Sequence, residues 1–150
     1  MSDFKYKTNT VLGALQIPYA LIWLYTGTVH GTSLPRFVND VSAYRLLPVE
    51  YAVLVAPVLV VLHCIVGAKI LLDDRAVVAL TMSLFLLAIY TFAVCSVLIR
   101  GDSISCGCFG TYSSVVSPMH VAGNLGLLLL GGIFLGRQIL TPVRRNDGEE

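Results

Sequence analysis

Four stretches of this 150-residue chain carry no Lys, Arg, Asp or Glu: Thr8 to Pro35, Tyr51 to Ala68, Ala76 to Ile99 and Ser103 to Gly136. Each holds close to the roughly 20 apolar residues that cross a bilayer core of about 30 Å. Lipid offers the backbone no hydrogen bonds, so each stretch must close its own by forming a helix. Composition agrees: 56% of the residues are hydrophobic and 13% charged, against about a quarter charged in soluble domains. A soluble domain of this size could not hide that much apolar surface. The pattern predicts an all-α fold, an integral membrane four-helix bundle in a single domain. Its spans are expected near residues 9–30, 49–71, 76–99 and 117–137.

A cleaved signal peptide is not expected, because the first apolar run is too long and no A-x-A cleavage site follows it. Four spans bring both termini to one side. That side receives Lys5, Lys7, Lys69, Arg75, Arg137, Arg144 and Arg145, and the other receives Arg36, Arg45 and Arg100. Positive charge collects on the cytoplasmic side of membrane proteins, so both termini are expected in the cytoplasm. No basic tract suited to gripping phosphates occurs, which argues against nucleic acid as a partner.

The connections differ in kind. The first, from His30 to Glu50, is long and carries Phe37, Val38, Val41, Tyr44, Leu46 and Leu47 at intermittent spacing. Part of it is expected to form a helix lying in the membrane interface. The second is the bare turn Asp73-Asp74-Arg75, which forces an antiparallel hairpin. Pro18 and Pro57 should bend their spans. Gly13, Gly67, Gly123, Gly126, Gly131 and Gly132 are expected to permit close helix contact.

The third connection, residues 101–116, holds the string SISCGCFGTYSS and with it Cys106 and Cys108. The topology puts this loop on the periplasmic or extracellular face, where disulfides are permitted. A Cys-Gly-Cys disulfide closes a small, strained ring, which favours exchange over bracing. Histidines supply an alternative. His30 falls near the outer end of the first span, and His120 lies three residues into the fourth from the same face. With Cys106 and Cys108 they form a ligand set adequate for zinc or copper. His63 is placed about 20 Å below the outer end of the second span at 1.5 Å per residue. An ionisable group at that depth is a functional candidate. On this estimate His30 and His63 do not meet unless Pro57 or a re-entrant first loop brings them together. Cys64 and Cys95 are expected to be small apolar fillers.

The string CGCFG, from Cys106 to Gly110, resembles the signature of the MauE family, within the DoxX-like group of small four-helix membrane proteins. YRLLP (Tyr44 to Pro48) before the second span and the short turn after it fit the same layout. The resemblance implies a bacterial inner-membrane protein that supports maturation of a disulfide-rich periplasmic enzyme beside a thioredoxin-like partner. Cys106 and Cys108 would then be a redox-active thiol pair, with Gly107, Phe109 and Gly110 shaping the loop. His30 and His63 stand where members often carry Lys and Glu, and Ser105 stands where Asp often precedes the first Cys. Losing that carboxylate eases thiolate formation, since a nearby like charge raises a thiol pKa. Three readings stay open: a thiol–disulfide component that uses a second couple or a quinone, a copper- or zinc-binding protein, and a scaffold subunit. The client protein is not specified by any of them.

Overall fold

The computed structural model describes residues 2–73, 76–106 and 114–140, with side chains from residue 13 onward except at 105, 106 and 114. Apart from short connections, the described residues are helical except for one short ribbon. Helix α1 spans Ser2–Thr32, α2 Leu34–Ala43, α3 Val49–Leu72, α4 Val77–Arg100 and α5 Pro118–Leu140. Between α4 and α5, strands β1 (Ser105–Cys106) and β2 (Ser114–Val115) pair antiparallel.

Three helices, α3, α4 and α5, are long and apolar enough to cross a membrane. Their outward faces fit that role. Leu54, Val78, Phe85, Phe92, Ile99 and Leu129 are all more than half exposed, a display of apolar surface that water would not tolerate. Helix α1 is the longest, at 31 residues, and is the more polar one. Three of its hydroxyls are satisfied within the helix: Thr26 donates to the carbonyl of Ile22, Thr28 to Leu24 and Thr32 to Val29. Such back-bonding removes the cost of carrying threonine in an apolar setting.

The described residues form five helices, four near the positions expected for the spans and one more. The additional one is α2, which fills most of the first connection. Pro35 sits in its first turn, where a missing N–H costs nothing. Phe37, Val41 and Tyr44 recur at helical spacing, and Phe37 is buried. Helix α2 packs mainly on α3, burying Phe37 there while its other residues stay half-buried or exposed.

Helices α1 and α3 run antiparallel in close contact. Gln16 Nε2 donates to the Ile70 carbonyl over 3.2 Å. A Cβ added at Gly67 would lie 2.9 Å from the Leu24 nitrogen and 3.0 Å from the Ala20 carbonyl oxygen. One added at Gly27 would lie 2.7 Å from Cys64 Sγ. Only glycine permits that approach. Gly31 faces Val60, so α1 ends about level with Leu59. The ten residues of α3 from Val49 to Val58 then reach about 15 Å beyond it, and α2 packs there instead.

Two cores result. Near the α3–α4 connection, Tyr19, Ala20, Trp23, Val66, Leu80 and Phe134 are buried together. Tyr19 donates its hydroxyl to Ser83 Oγ at 2.9 Å, and Ser83 donates to the Leu80 carbonyl at 2.7 Å. The Tyr19 ring meets Phe134 edge-on, so one side chain joins α1, α4 and α5. At the ribbon end, Val94, Val97 and Val116 form a smaller core with Tyr44, Ile104 and Val121.

Candidate functional site

The segment that carries the cysteines is anchored from both sides. Helix α4 stops because Gly101 adopts a left-handed conformation, φ 70°. Its N–H bonds to the Leu98 carbonyl, and the N–H of Asp102 bonds to that of Val97. This pair of bonds closes the helix with a sharp reversal. Arg100 then ties the junction together, donating from its guanidinium to the Tyr44 carbonyl at 2.7 Å and to Asp102 at 3.0 Å. The Val116 N–H bonds to the Ile104 carbonyl at 3.0 Å. Cys106 lies opposite Ser114 at the last paired position of the ribbon. Cys108, with Gly107, Phe109 and Gly110, lies outside the described residues, as does the Cys106 side chain.

His120 has its own anchor in the first turn of α5. Its Nδ1 receives the Ser117 N–H at 3.2 Å and lies 3.0 Å from the Ser117 hydroxyl. A backbone N–H can only donate, so Nδ1 is the acceptor and the neutral ring carries its proton on Nε2.

His30 and His63 come together, and the depth expectation is corrected. Their ring centroids are 6.2 Å apart, edge to face, and both residues are buried. The error lay in assuming that α1 and α3 begin at one level. The overhang of α3 puts His30 well below the tip of α3, beside the turn that holds His63. The ring of Phe37 on α2 stacks on His30 at 3.9 Å. His63 is flanked by Trp23 at 5.3 Å and Tyr90 at 5.6 Å. A carbonyl accepts only, so His63 Nδ1 donates to Leu59, and in the neutral ring Nε2 accepts the Tyr90 hydroxyl at 3.0 Å.

These rings border a cavity of about 260 Å³ between the two cores. Asp40 and Asn124 add further polar groups to its wall. Burial pushes the Asp40 carboxyl above the usual range, and Arg36, one turn earlier, pulls it partly back. Ile22, Leu46, Leu47 and Ile89 line the cavity while remaining more than a third exposed, so its rim is apolar. Tyr44 belongs both to this wall and to the small core beneath the ribbon. Sequence reasoning missed Trp23, Phe37 and Tyr90. Trp23 and His30 do stand two turns apart on one face of α1, which is the one signal available; nothing in the sequence pairs Tyr90 with His63.

Cys64 and Cys95 are free thiols, and neither is fully buried. Cys64 packs against Gly27, consistent with a filling role.

The family described as methylamine utilisation protein MauE matches residues 8–137. No curated protein and no solved structure matches.

Proposed function

The chain belongs to the MauE family, and from that membership and the anchored ribbon we propose that it is a membrane accessory protein of methylamine utilisation working by thiol–disulfide exchange. Cys106 and Cys108 are the exchanging pair, and a periplasmic thioredoxin-like protein is the partner. Helix α1 serves as the fourth span, both termini lie in the cytoplasm of a bacterial cell, and the ribbon faces the periplasm. The seven-to-three distribution of Lys and Arg supports that orientation.

The observation that carries the reading is the pinned base of the CGCFG loop. Arg100, Gly101 and the Val116–Ile104 bond hold the chain on either side of residues 107–113. Exchange needs an accessible thiolate at a defined position. In the exchange, one thiolate of the pair attacks a sulfur of the partner's disulfide and expels the other as thiolate. The second cysteine then resolves the mixed disulfide. The pair loses two electrons and becomes a disulfide, and the partner gains them as a dithiol; the reverse reaction runs through the same intermediate.

A Cys106→Ser variant should accumulate a mixed disulfide through Cys108, released by reductant and absent from the Cys106→Ser/Cys108→Ser double variant. No adduct together with wild-type maturation activity would dispose of the exchange reading and leave a scaffold role. The meeting of His30 and His63 favours a second reading, a copper or zinc site shared with Cys106, Cys108 and His120. Against it, both ring nitrogens of His63 already have partners in Leu59 and Tyr90. Metal content that falls on His30→Ala substitution would establish the metal reading; metal-free protein with full activity would end it.

A further inference from the structure

We propose that the cavity between the two cores binds the ring of a lipid-soluble quinone. Its size comes first. An apolar cavity of about 150 Å³ accepts benzene, so one of about 260 Å³ accepts a substituted ring but not a long tail as well. Its wall is rich in aromatic rings, with Trp23, Phe37 and Tyr90 among its lining residues. The rim indicates the route of entry. Ile22 and Ile89 lie in long helices and stay exposed, so a ligand arrives through the bilayer and leaves its tail there.

Charge narrows the class. No Lys or Arg lines the cavity among the described residues, and the one carboxyl there is Asp40. An anionic lipid or fatty acid would have no counter-charge. A bare acyl chain would make no use of the polar side chains His30, Asp40 and Asn124 in the wall. A neutral ring bearing carbonyls uses both the aromatic walls and the polar groups.

The ligand would also supply the exchange pair with an electron acceptor, a point that rests on the thiol reading above. With exchange running from the partner's dithiol to the Cys106–Cys108 disulfide, the partner is left as a disulfide and the pair as a dithiol; the dithiol then gives up two electrons and two protons in re-forming its disulfide, and the quinone takes them up as quinol. Tyr44, shared by the cavity wall and the core beneath the ribbon, links the two places.

Trp23 is the single tryptophan of the chain, so it reports on its own cavity. The experiment is a titration of ubiquinone-1 into the full chain in phosphatidylcholine nanodiscs, following Trp23 fluorescence. Saturable quenching is expected, with affinity weakened on the order of tenfold by Ala93→Phe, which fills the space. Asn124→Leu, which keeps the volume, should weaken it about fivefold through one lost polar contact. Quenching that never saturates and is equal in all three proteins is simple partitioning and overturns the proposal, as does equal displacement by dodecane. A parallel titration of Cys106→Ser/Cys108→Ser separates the two ideas. Unchanged binding there, with no quinol formed anaerobically by reduced wild-type protein, removes the electron link to the thiol pair and leaves the site standing. Partner trapping at Cys108 without saturable quenching removes the site and leaves the exchange.

Discussion

The two halves of the molecule are built on opposite plans. Around Tyr19, helices α1, α3, α4 and α5 press together, with Gly67 and Gly131 admitting backbone and ring at distances that no Cβ would allow. Toward the ribbon, α1 stops short of α3, the shorter α2 takes over, and an aromatic-walled cavity remains. The same apolar composition thus yields a closed half and a hollow one. What separates them is the overhang of α3 past α1, not the chemistry of the residues. The closed half gives a rigid frame from which the open half is built.

Breaking the closed half should have the largest effect. Gly67→Val pushes a branched side chain into the backbone of α1 at Leu24 and Ala20. A loss of about 3 kcal/mol or more is expected, read by unfolding in mixed micelles, with helix content falling at lower denaturant. A smaller, sharper contrast lies within α5. Gly131→Ala meets the Tyr19 hydroxyl and should cost about 1–2 kcal/mol. Gly126→Ala meets nothing within 4 Å and should be neutral or stabilising by up to about 1 kcal/mol, since alanine suits a helix interior better. Equal effects at the two positions would mean that the halves are not packed as described.

The smallest effect concerns the hollow half. The Asp40 carboxyl is raised above its usual range by burial. A raised carboxyl costs nothing while both folded and unfolded chains are protonated, below the unfolded value of 3.8. The cost grows as pH rises through the folded value. Asp40→Asn should therefore raise thermal stability at pH 7 by at most about 2 °C, because the group is partly solvated. The gain should vanish below pH 3.8. Arg36, which faces Asp40 from the same helix, limits its size.

Much of the plan was legible in the sequence, and the omissions have a common cause. Charge-free runs announce α3, α4 and α5 because lipid leaves the backbone no alternative, and the spacing of Phe37, Val41 and Tyr44 announces a helix in the first connection. CGCFG was enough to suggest the family. The meeting of His30 and His63 was not legible, because it depends on how far one helix slides along another. The glycines make the same point. Of the six singled out from sequence, Gly67 and Gly131 face close neighbours, whereas Gly13, Gly123, Gly126 and Gly132 face open space, and Gly27 was passed over. Helices that are apolar all round carry no periodic mark of which face turns inward. Rotation and stagger are settled by packing alone.

The most direct test of the account is thiol labelling in intact cells with a membrane-impermeant maleimide, in a Cys64→Ala/Cys95→Ala background that leaves only Cys106 and Cys108. The account predicts no labelling until a reductant is added, then labelling of both cysteines, as for an outward-facing disulfide. Full labelling without reduction, or labelling released by a chelator alone, would contradict it.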